Sequence, residues 1–347
     1  MQKTNLYNLT LAQLTDFVKS LGLPAFRAGQ IFQWLYRPHI SDFEQMTNLS
    51  KELRTTLADC TVFERLALAK KEQSEDLTVK YAFKLQDGAV IESVLIPEED
   101  RHTLCISSQV GCAMGCGFCL TGTMGFKRNL TPGEIVGQIV KVIDDLPKMF
   151  GEDSRINNLV FMGMGEPLAN FENLLAALEI ITEQSGLDFS GRRITVSTCG
   201  IVPKIRELGE KSNVNLAVSL HSVDDKVRSQ LMPINDTYPV AQLLEACRNF
   251  PMPKRKRIMF EYILIKGIND SLSDAKMLAE KLKGIPCKIN LLPYNETSTL
   301  PFQKPSEQHI EQFQKILWKA GYTALIRTSR GADISAACGQ LAGKLSD

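Results

Sequence analysis

Apolar positions recur at helical spacing through residues 1–57. Leu11, Leu14, Phe17 and Val18 form one stripe, and Ile31, Trp34 and Leu35 form another. Pro24 and Pro38 punctuate the region, so it reads as a group of short helices. Residues 58–97 change character. β-Branched and aromatic residues fill 78–83 and 89–96 on either side of Asp87-Gly88, a dipeptide suited to a hairpin turn. From residue 101 the pattern alternates. Strand-like apolar runs lie at 103–110, 158–162, 193–196, 215–220, 258–265 and 288–292, with a seventh at 323–327. Helical stretches fall between them. The clearest begins at Thr131, with Pro132 at the first helical position and Glu134 closing a capping box.

Strands alternating with helices predict a parallel sheet. About six such units are too few for a closed eight-stranded barrel, which leaves an open partial barrel, with a doubly wound sheet as the competing arrangement. The expected organisation is a helical unit at 1–57, a β extension at 58–97 and an α/β core at 98–347. In either architecture ligands gather beyond the carboxyl ends of the strands.

Composition narrows the class. Hydrophobic residues make up 44% and charged residues 23% of the 347, which excludes disordered and fibrous chains. No apolar run approaches the roughly 18 residues that cross a bilayer, and the first ten residues lack the apolar core of a signal peptide. Nine cysteines in such a chain point to metal or catalytic thiols in a reducing cytoplasm rather than to a disulfide framework. A net charge of +1 does not favour a nucleic-acid partner, yet leaves room for local basic patches at Lys127-Arg128, Arg192-Arg193 and Lys254-Arg255-Lys256-Arg257. Solvated loops explain the same runs.

The chemistry concentrates where the first parallel strand ends. Cys112, Cys116 and Cys119 stand in the glycine-rich segment Val110-Gly111-Cys112-Ala113-Met114-Gly115-Cys116-Gly117-Phe118-Cys119. Three thiolates on a four-iron cubane leave one iron open to a ligand from outside the protein. Zinc is the alternative, but it wants four ligands, usually as two separated pairs, and no second pair occurs. Inert core thiols are the other. A second feature, Gly163-Met164-Gly165-Glu166-Pro167, follows the next strand, and its glycines allow a ligand close to the backbone.

With these motifs the chain resembles the radical S-adenosylmethionine (SAM) superfamily and, more narrowly, the RlmN/Cfr family of RNA adenine methyltransferases. Matching stretches are 104–112, 162–167, 219–221, 232–235 and 336–341. The resemblance implies a partial (β/α)6 radical-SAM barrel carrying a small N-terminal helical domain that engages RNA. Phe26, Arg27 and Trp34 interleave aromatic and basic residues there. It implies one [4Fe-4S] cluster on Cys112, Cys116 and Cys119, and a SAM pocket of Gly165, Glu166, Ser197, Ser219, Leu220, His221 and Asn295. His221 lines that pocket without acting as a base, and Met162 and Met164 read as packing.

The resemblance also gives two further cysteines roles. Carbon 2 of adenine is flanked by two ring nitrogens and is too electron-poor to attack a sulfonium methyl. The implied route methylates Cys338 with one SAM and cleaves a second SAM to a 5′-deoxyadenosyl radical. Hydrogen is then abstracted from the S-methyl group, and the resulting carbon adds to adenine. Cys105 resolves the adduct, leaving a Cys105–Cys338 disulfide to be reduced. Taken alone, each is as well read as a buried small hydrophobe. Glu92, in an otherwise apolar strand, is the family's proton acceptor by position; a solvent-facing residue on an edge strand is the alternative. The implied substrates are 23S rRNA and tRNA, and the implied electron donor is a flavodoxin or ferredoxin. Methylation at carbon 8 with antibiotic resistance is the sister activity, although Pro167 and residues 286–290 look more like the carbon-2 branch. A passive electron-transfer or assembly module is a third reading, which leaves Cys105 and Cys338 without a use. The sequence does not show whether Cys60, Cys199, Cys247 and Cys287 do anything beyond packing; Cys199 and Cys287, in or beside strand-like runs, read as packing.

Overall fold

The computed structural model describes residues 3–36, 40, 42–253, 256–297 and 299–343. Pro38, Lys254 and Arg255 lie outside the described residues. The first 60 residues form α1 (Leu11–Ser20), α2 (Phe26–Leu35) and α3 (Lys51–Cys60). Thr10 starts α1 with a reciprocal capping box to Gln13. Leu14 and Val18 bury against Ile31, Phe32 and Leu35, while Phe17 and Trp34 stay at the rim. Thr4–Asn5 pairs with Thr61–Val62 and ties the unit's two ends together.

Ten strands follow in one sheet: β1 (Ala67–Gln73), β2 (Val79–Lys84), β3 (Val90–Glu98), β4 (Arg101–Cys105), β5 (Ile156–Phe161), β6 (Ile194–Thr198), β7 (Asn215–Ser219), β8 (Ile258–Leu264), β9 (Cys287–Pro293) and β10 (Thr323–Ile326). Their spatial order is their chain order. β1 to β4 pair antiparallel, with the expected turn at Gly88 (φ +83°), and β4 to β10 pair parallel. A doubly wound sheet reverses strand order at a switch point. None occurs here, so the parallel part is an open partial barrel. The β extension is continuous with it through the β3–β4 pair. The connections carry α4 (Leu120–Thr123), α5 (Pro132–Phe150), α6 (Phe171–Thr182), α7 (Val202–Lys211), α8 (Asp225–Leu231), α9 (Val240–Arg248), α10 (Leu272–Lys281) and α11 (Glu307–Lys319). Among the described residues no helix is long and apolar enough to cross a membrane.

One boundary differs from the sequence pattern. The first parallel strand ends at Cys105, not at residue 110. The backbone of Ser107 turns away from the sheet because Gln138 of α5 takes its place as partner. Gln138 Oε1 accepts the Ser107 N–H (2.8 Å) and the Ser93 hydroxyl (2.7 Å), and Gln138 Nε2 donates to the Ser107 carbonyl (2.9 Å). Ser107 Oγ donates to the Glu92 carbonyl (2.6 Å) and accepts the Met164 N–H (2.8 Å). Residues 109–111 then pair antiparallel with 126–129 and form the neck of the cysteine loop.

This buried network roots the loop. Replacing Gln138 with Leu leaves three buried polar groups unpaired. The expected loss is about 2–4 kcal/mol of stability, read as a lower urea midpoint; an unchanged midpoint contradicts the assignment.

Candidate active site

Cys112, Cys116 and Cys119 line one cavity of about 170 Å³ at the carboxyl ends of the parallel strands. The loop reaches this shape through local geometry. Gly111 has φ +75°, and a Cβ there would lie 1.8 Å from the Gly125 carbonyl oxygen, the same oxygen that accepts the Cys112 N–H at 3.1 Å. Gly117 donates its N–H to Leu231 O, at the end of α8 (2.9 Å). Burial pushes the Cys112 thiol up to about 11 and raises Cys116 as well, and the charges of neighbouring thiolates add to both. Among the described residues no three Cys, His, Asp or Glu side chains converge closely enough for one metal ion. Three thiols from one glycine-rich loop that line one cavity suit an iron–sulfur cubane, whose irons take thiolate ligands.

The opposite wall is the strand-end loop 163–167. Gly165 has φ +97°, and a Cβ there would meet Gln109 Cβ at 2.5 Å. Gln109 Oε1 accepts the Glu166 N–H (2.8 Å). Glu166 is buried, and its carboxylate accepts the N–H groups of Leu168 (3.1 Å) and Cys199 (2.8 Å), binding the ends of β5 and β6 together. Gly165, Glu166, Ser197, Ser219 and His221 all line the cavity. Met162 lines it too, whereas Met164 packs in the core. The Leu220 side chain is also in the core; only its N–H turns inward, to the Glu261 carbonyl (3.0 Å). His221 holds φ +58° and accepts the Ile263 N–H at Nδ1 (3.0 Å), which puts its own proton on Nε2. Burial, then the Arg228 charge, lowers its proton affinity to about 3. It is neutral at physiological pH, as a non-basic wall residue should be.

Cys338 is exposed to this cavity and sits on its wall, yet is crowded enough by protein that burial pushes its thiol up to about 11, with Glu261 and Cys119 adding to the effect. A stapled C-terminal segment delivers it. Leu120 N–H donates to Gly339 O (2.8 Å), and Thr121 Oγ1 donates to Leu341 O (2.7 Å). Asn295 Nδ2 donates to Cys338 O (3.3 Å), so Asn295 holds this segment and is not itself on the cavity wall. Glu92 is buried in β3 and also stands off the wall. Its Oε2 accepts the N–H groups of Ala342 (2.8 Å) and Gly343 (2.9 Å), and Lys80 Nζ lies 3.9 Å from Oε1. Cys105, at the end of β4, is buried behind the wall. Burial raises its thiol, and the neighbouring Cys338 charge adds to the rise.

Sequence reasoning missed two charged residues. Glu261 lines the cavity from the middle of β8, with Asn290 Nδ2 on one carboxylate oxygen (2.8 Å), and burial raises it to about 7. A lone carboxylate in an apolar strand is the signal that singled out Glu92, and it applies here equally. Arg228, on α8, is wholly buried. The basic runs lie away from the cavity. Arg192-Arg193 precede β6 and Lys256-Arg257 precede β8, at the end of the sheet opposite the cavity. Arg128 is tied to Asp87 (2.6 Å) and Glu134 (2.8 Å). Of the N-terminal stacking candidates, Phe26 is exposed, with Arg27 4.9 Å from its ring centre.

The neutral His221 has a pH signature. An unfolded histidine takes its proton near 6.5, and the folded one resists until about 3. The stabilisation is complete above 6.5 and drains as pH falls toward 3. Between pH 7 and 5 the thermal midpoint should fall more steeply for the wild type than for His221→Gln; parallel slopes contradict the neutral assignment.

Comparison with known proteins agrees with this geometry. Residues 4–63 match the ribosomal RNA large subunit methyltransferase N-terminal domain, and residues 106–279 match the radical SAM superfamily. The dual-specificity RNA methyltransferase RlmN of Desulfotalea psychrophila is 58% identical, over 98% of this chain and 95% of its own length. That of Geobacter sulfurreducens is 52% identical, over 97% and 91%. The crystal structure of a radical SAM methyltransferase from Sphaerobacter thermophilus superposes with a TM-score of 0.92 at 45% identity, covering 98% of this chain and all of that one. The chain belongs to the RlmN family of dual-specificity RNA methyltransferases, within the radical SAM superfamily.

Proposed function

We propose that the chain methylates carbon 2 of adenine in 23S rRNA and in tRNA beside the anticodon, with Cys338 as the sulfur that carries the methyl group. The observation that carries this reading is Cys338 on the same cavity wall as Cys112, Cys116 and Cys119, with Cys105 buried behind it. The relatives' shared name as dual-specificity RNA methyltransferases supports the two RNA classes. Cys112, Cys116 and Cys119 hold the [4Fe-4S] cluster, and SAM lies against Gly165, Glu166, Ser197, Ser219 and His221, with Leu220 and Asn295 shaping that wall from behind. When bound, the cluster supplies the electron that cleaves SAM and so the means to abstract hydrogen from carbon. Two SAM molecules serve each turnover, one as methyl donor and one cleaved. A small reductant protein such as flavodoxin or ferredoxin delivers electrons, and the RNA substrates set the work in the cytoplasm.

The chain's own residues do the rest. Cys338 loses its proton, its sulfur attacks the sulfonium methyl, and S-adenosylhomocysteine leaves. The methyl carbon, once stripped of a hydrogen atom, bonds to carbon 2 of adenine and links RNA to Cys338; carbon 2 then gives up its own hydrogen as a proton, and the adduct's unpaired electron would return to the cluster. Cys105, as thiolate, then attacks the Cys338 sulfur; the carbon–sulfur bond breaks with its electron pair on carbon, that carbon takes up a proton to become the methyl group, and a Cys105–Cys338 disulfide is left. The place of Cys105 behind the wall keeps it from competing for the first methyl. Glu92 anchors the Cys338 segment through Oε2, and Oε1 is the oxygen left to accept a proton.

Anaerobically reconstituted protein, given SAM, reductant and unmodified rRNA fragments, should place a methyl on adenine carbon 2 by mass mapping; methyl on carbon 8 overturns the regiochemistry. Cys105→Ala should accumulate RNA covalently bound to protein and lose turnover by at least about 100-fold, the lower end of what a positioned acid–base group contributes. Free turnover by that variant overturns the role of Cys105.

A further inference from the structure

Arg228 has no exposed surface. Its guanidinium donates four hydrogen bonds: Nε to Leu220 O (3.0 Å), Nη1 to Asn235 Oδ1 (2.9 Å), and Nη2 to Cys199 O (2.7 Å) and Ser219 O (3.2 Å). Every acceptor is neutral. Among the described residues no carboxylate lies within ion-pairing distance of it. Asp225, on the same helix, spends its Oδ1 on Asn235 Nδ2 (3.0 Å) and the Val240 N–H (2.8 Å). A buried cation lacking a counter-charge costs several kcal/mol, and carbonyl dipoles offset only part of that. Among the described residues the guanidinium therefore makes no ion pair, and the Asp225 carboxylate acts on it only from beyond pairing distance.

The surroundings indicate where the partner belongs. The helix that bears Arg228 is joined to the cysteine loop by the Gly117 to Leu231 hydrogen bond. Cys116, Phe118, Leu231, Met232 and Cys199 share one small apolar cluster there, a medium that screens charge poorly. Arg228 reaches this cluster through Cys199, whose carbonyl accepts its Nη2 (2.7 Å) and which lines the cavity together with Cys116. A cubane on three thiolates is anionic, and reduction adds a further negative charge.

We propose that Arg228 is the built-in counter-cation of the cluster held by Cys112, Cys116 and Cys119, and that its charge favours the reduced cluster while its hydrogen bonds fix the strand ends under SAM. This rests on the radical-SAM reading above. Arg228 is a positioning residue in this account, and it acts on SAM only through the carbonyls of Cys199, Ser219 and Leu220. Two roles are separable, since lysine keeps the charge but cannot make the four bonds, and glutamine loses the charge.

The test compares wild type, Arg228→Lys and Arg228→Gln after anaerobic reconstitution. Iron and sulfide content reports loading, and a redox titration followed by electron paramagnetic resonance reports the midpoint potential. The expected result is a wild-type-like potential for Arg228→Lys and a more negative one for Arg228→Gln. Should Arg228→Gln load poorly, loading becomes the readout. A counter-cation predicts that lysine restores it, and a purely structural staple predicts that lysine and glutamine fail alike, which overturns the proposal. Equal potentials in all three loaded proteins overturn it too. Wild-type protein without iron and sulfide defeats the radical-SAM reading itself and is told apart at the first step.

Discussion

The stapling of the C-terminal segment decides what this cavity can do. Cys338 belongs to no helix or strand of the sheet, and its position comes from hydrogen bonds to residues far away in the chain. Leu120 and Thr121 hold it to the cysteine loop, Glu92 takes the N–H groups of Ala342 and Gly343, and Asn295 grips the Cys338 carbonyl. Each of these bonds uses a backbone atom of the segment, so none of them engages the thiol. The same loop that gathers the three cluster cysteines therefore also sets the distance at which a fourth thiol faces them.

The electrostatics of the cavity follow from burial. Thiols and carboxylates are pushed toward their protonated forms, as at Cys112, Cys338, Glu166 and Glu261, and His221 toward its neutral one. Such a site is arranged to be filled. Desolvated groups whose charges are suppressed when alone become strong partners once a charged cofactor enters, because little solvent competes. Arg228 fits the same logic with opposite sign.

Local signals were legible in the sequence. The cysteine spacing, the Asp87-Gly88 turn, the Thr131 cap and the apolar runs of the parallel strands each reside within a few residues of chain, and the resemblance supplied the expected SAM-binding residues. What lay hidden was long-range or unpatterned. β1 runs Ala-Leu-Ala-Lys-Lys-Glu-Gln along an exposed edge, so no apolar period marks it. The first parallel strand stops early because a glutamine one helix later captures Ser107. Glu92 was noticed, but its partners lie some 250 residues on. The basic runs were conspicuous as charge, yet strand direction puts two of them at the far end of the sheet.

The account turns on Cys338 as the methyl carrier. The most direct measurement is tandem mass spectrometry of cysteine peptides from reconstituted protein incubated with methyl-labelled SAM before any RNA is added. The account predicts one labelled methyl on the peptide containing Cys338 and none on Cys105. Label on another cysteine, or on none while RNA is still methylated afterwards, would contradict it.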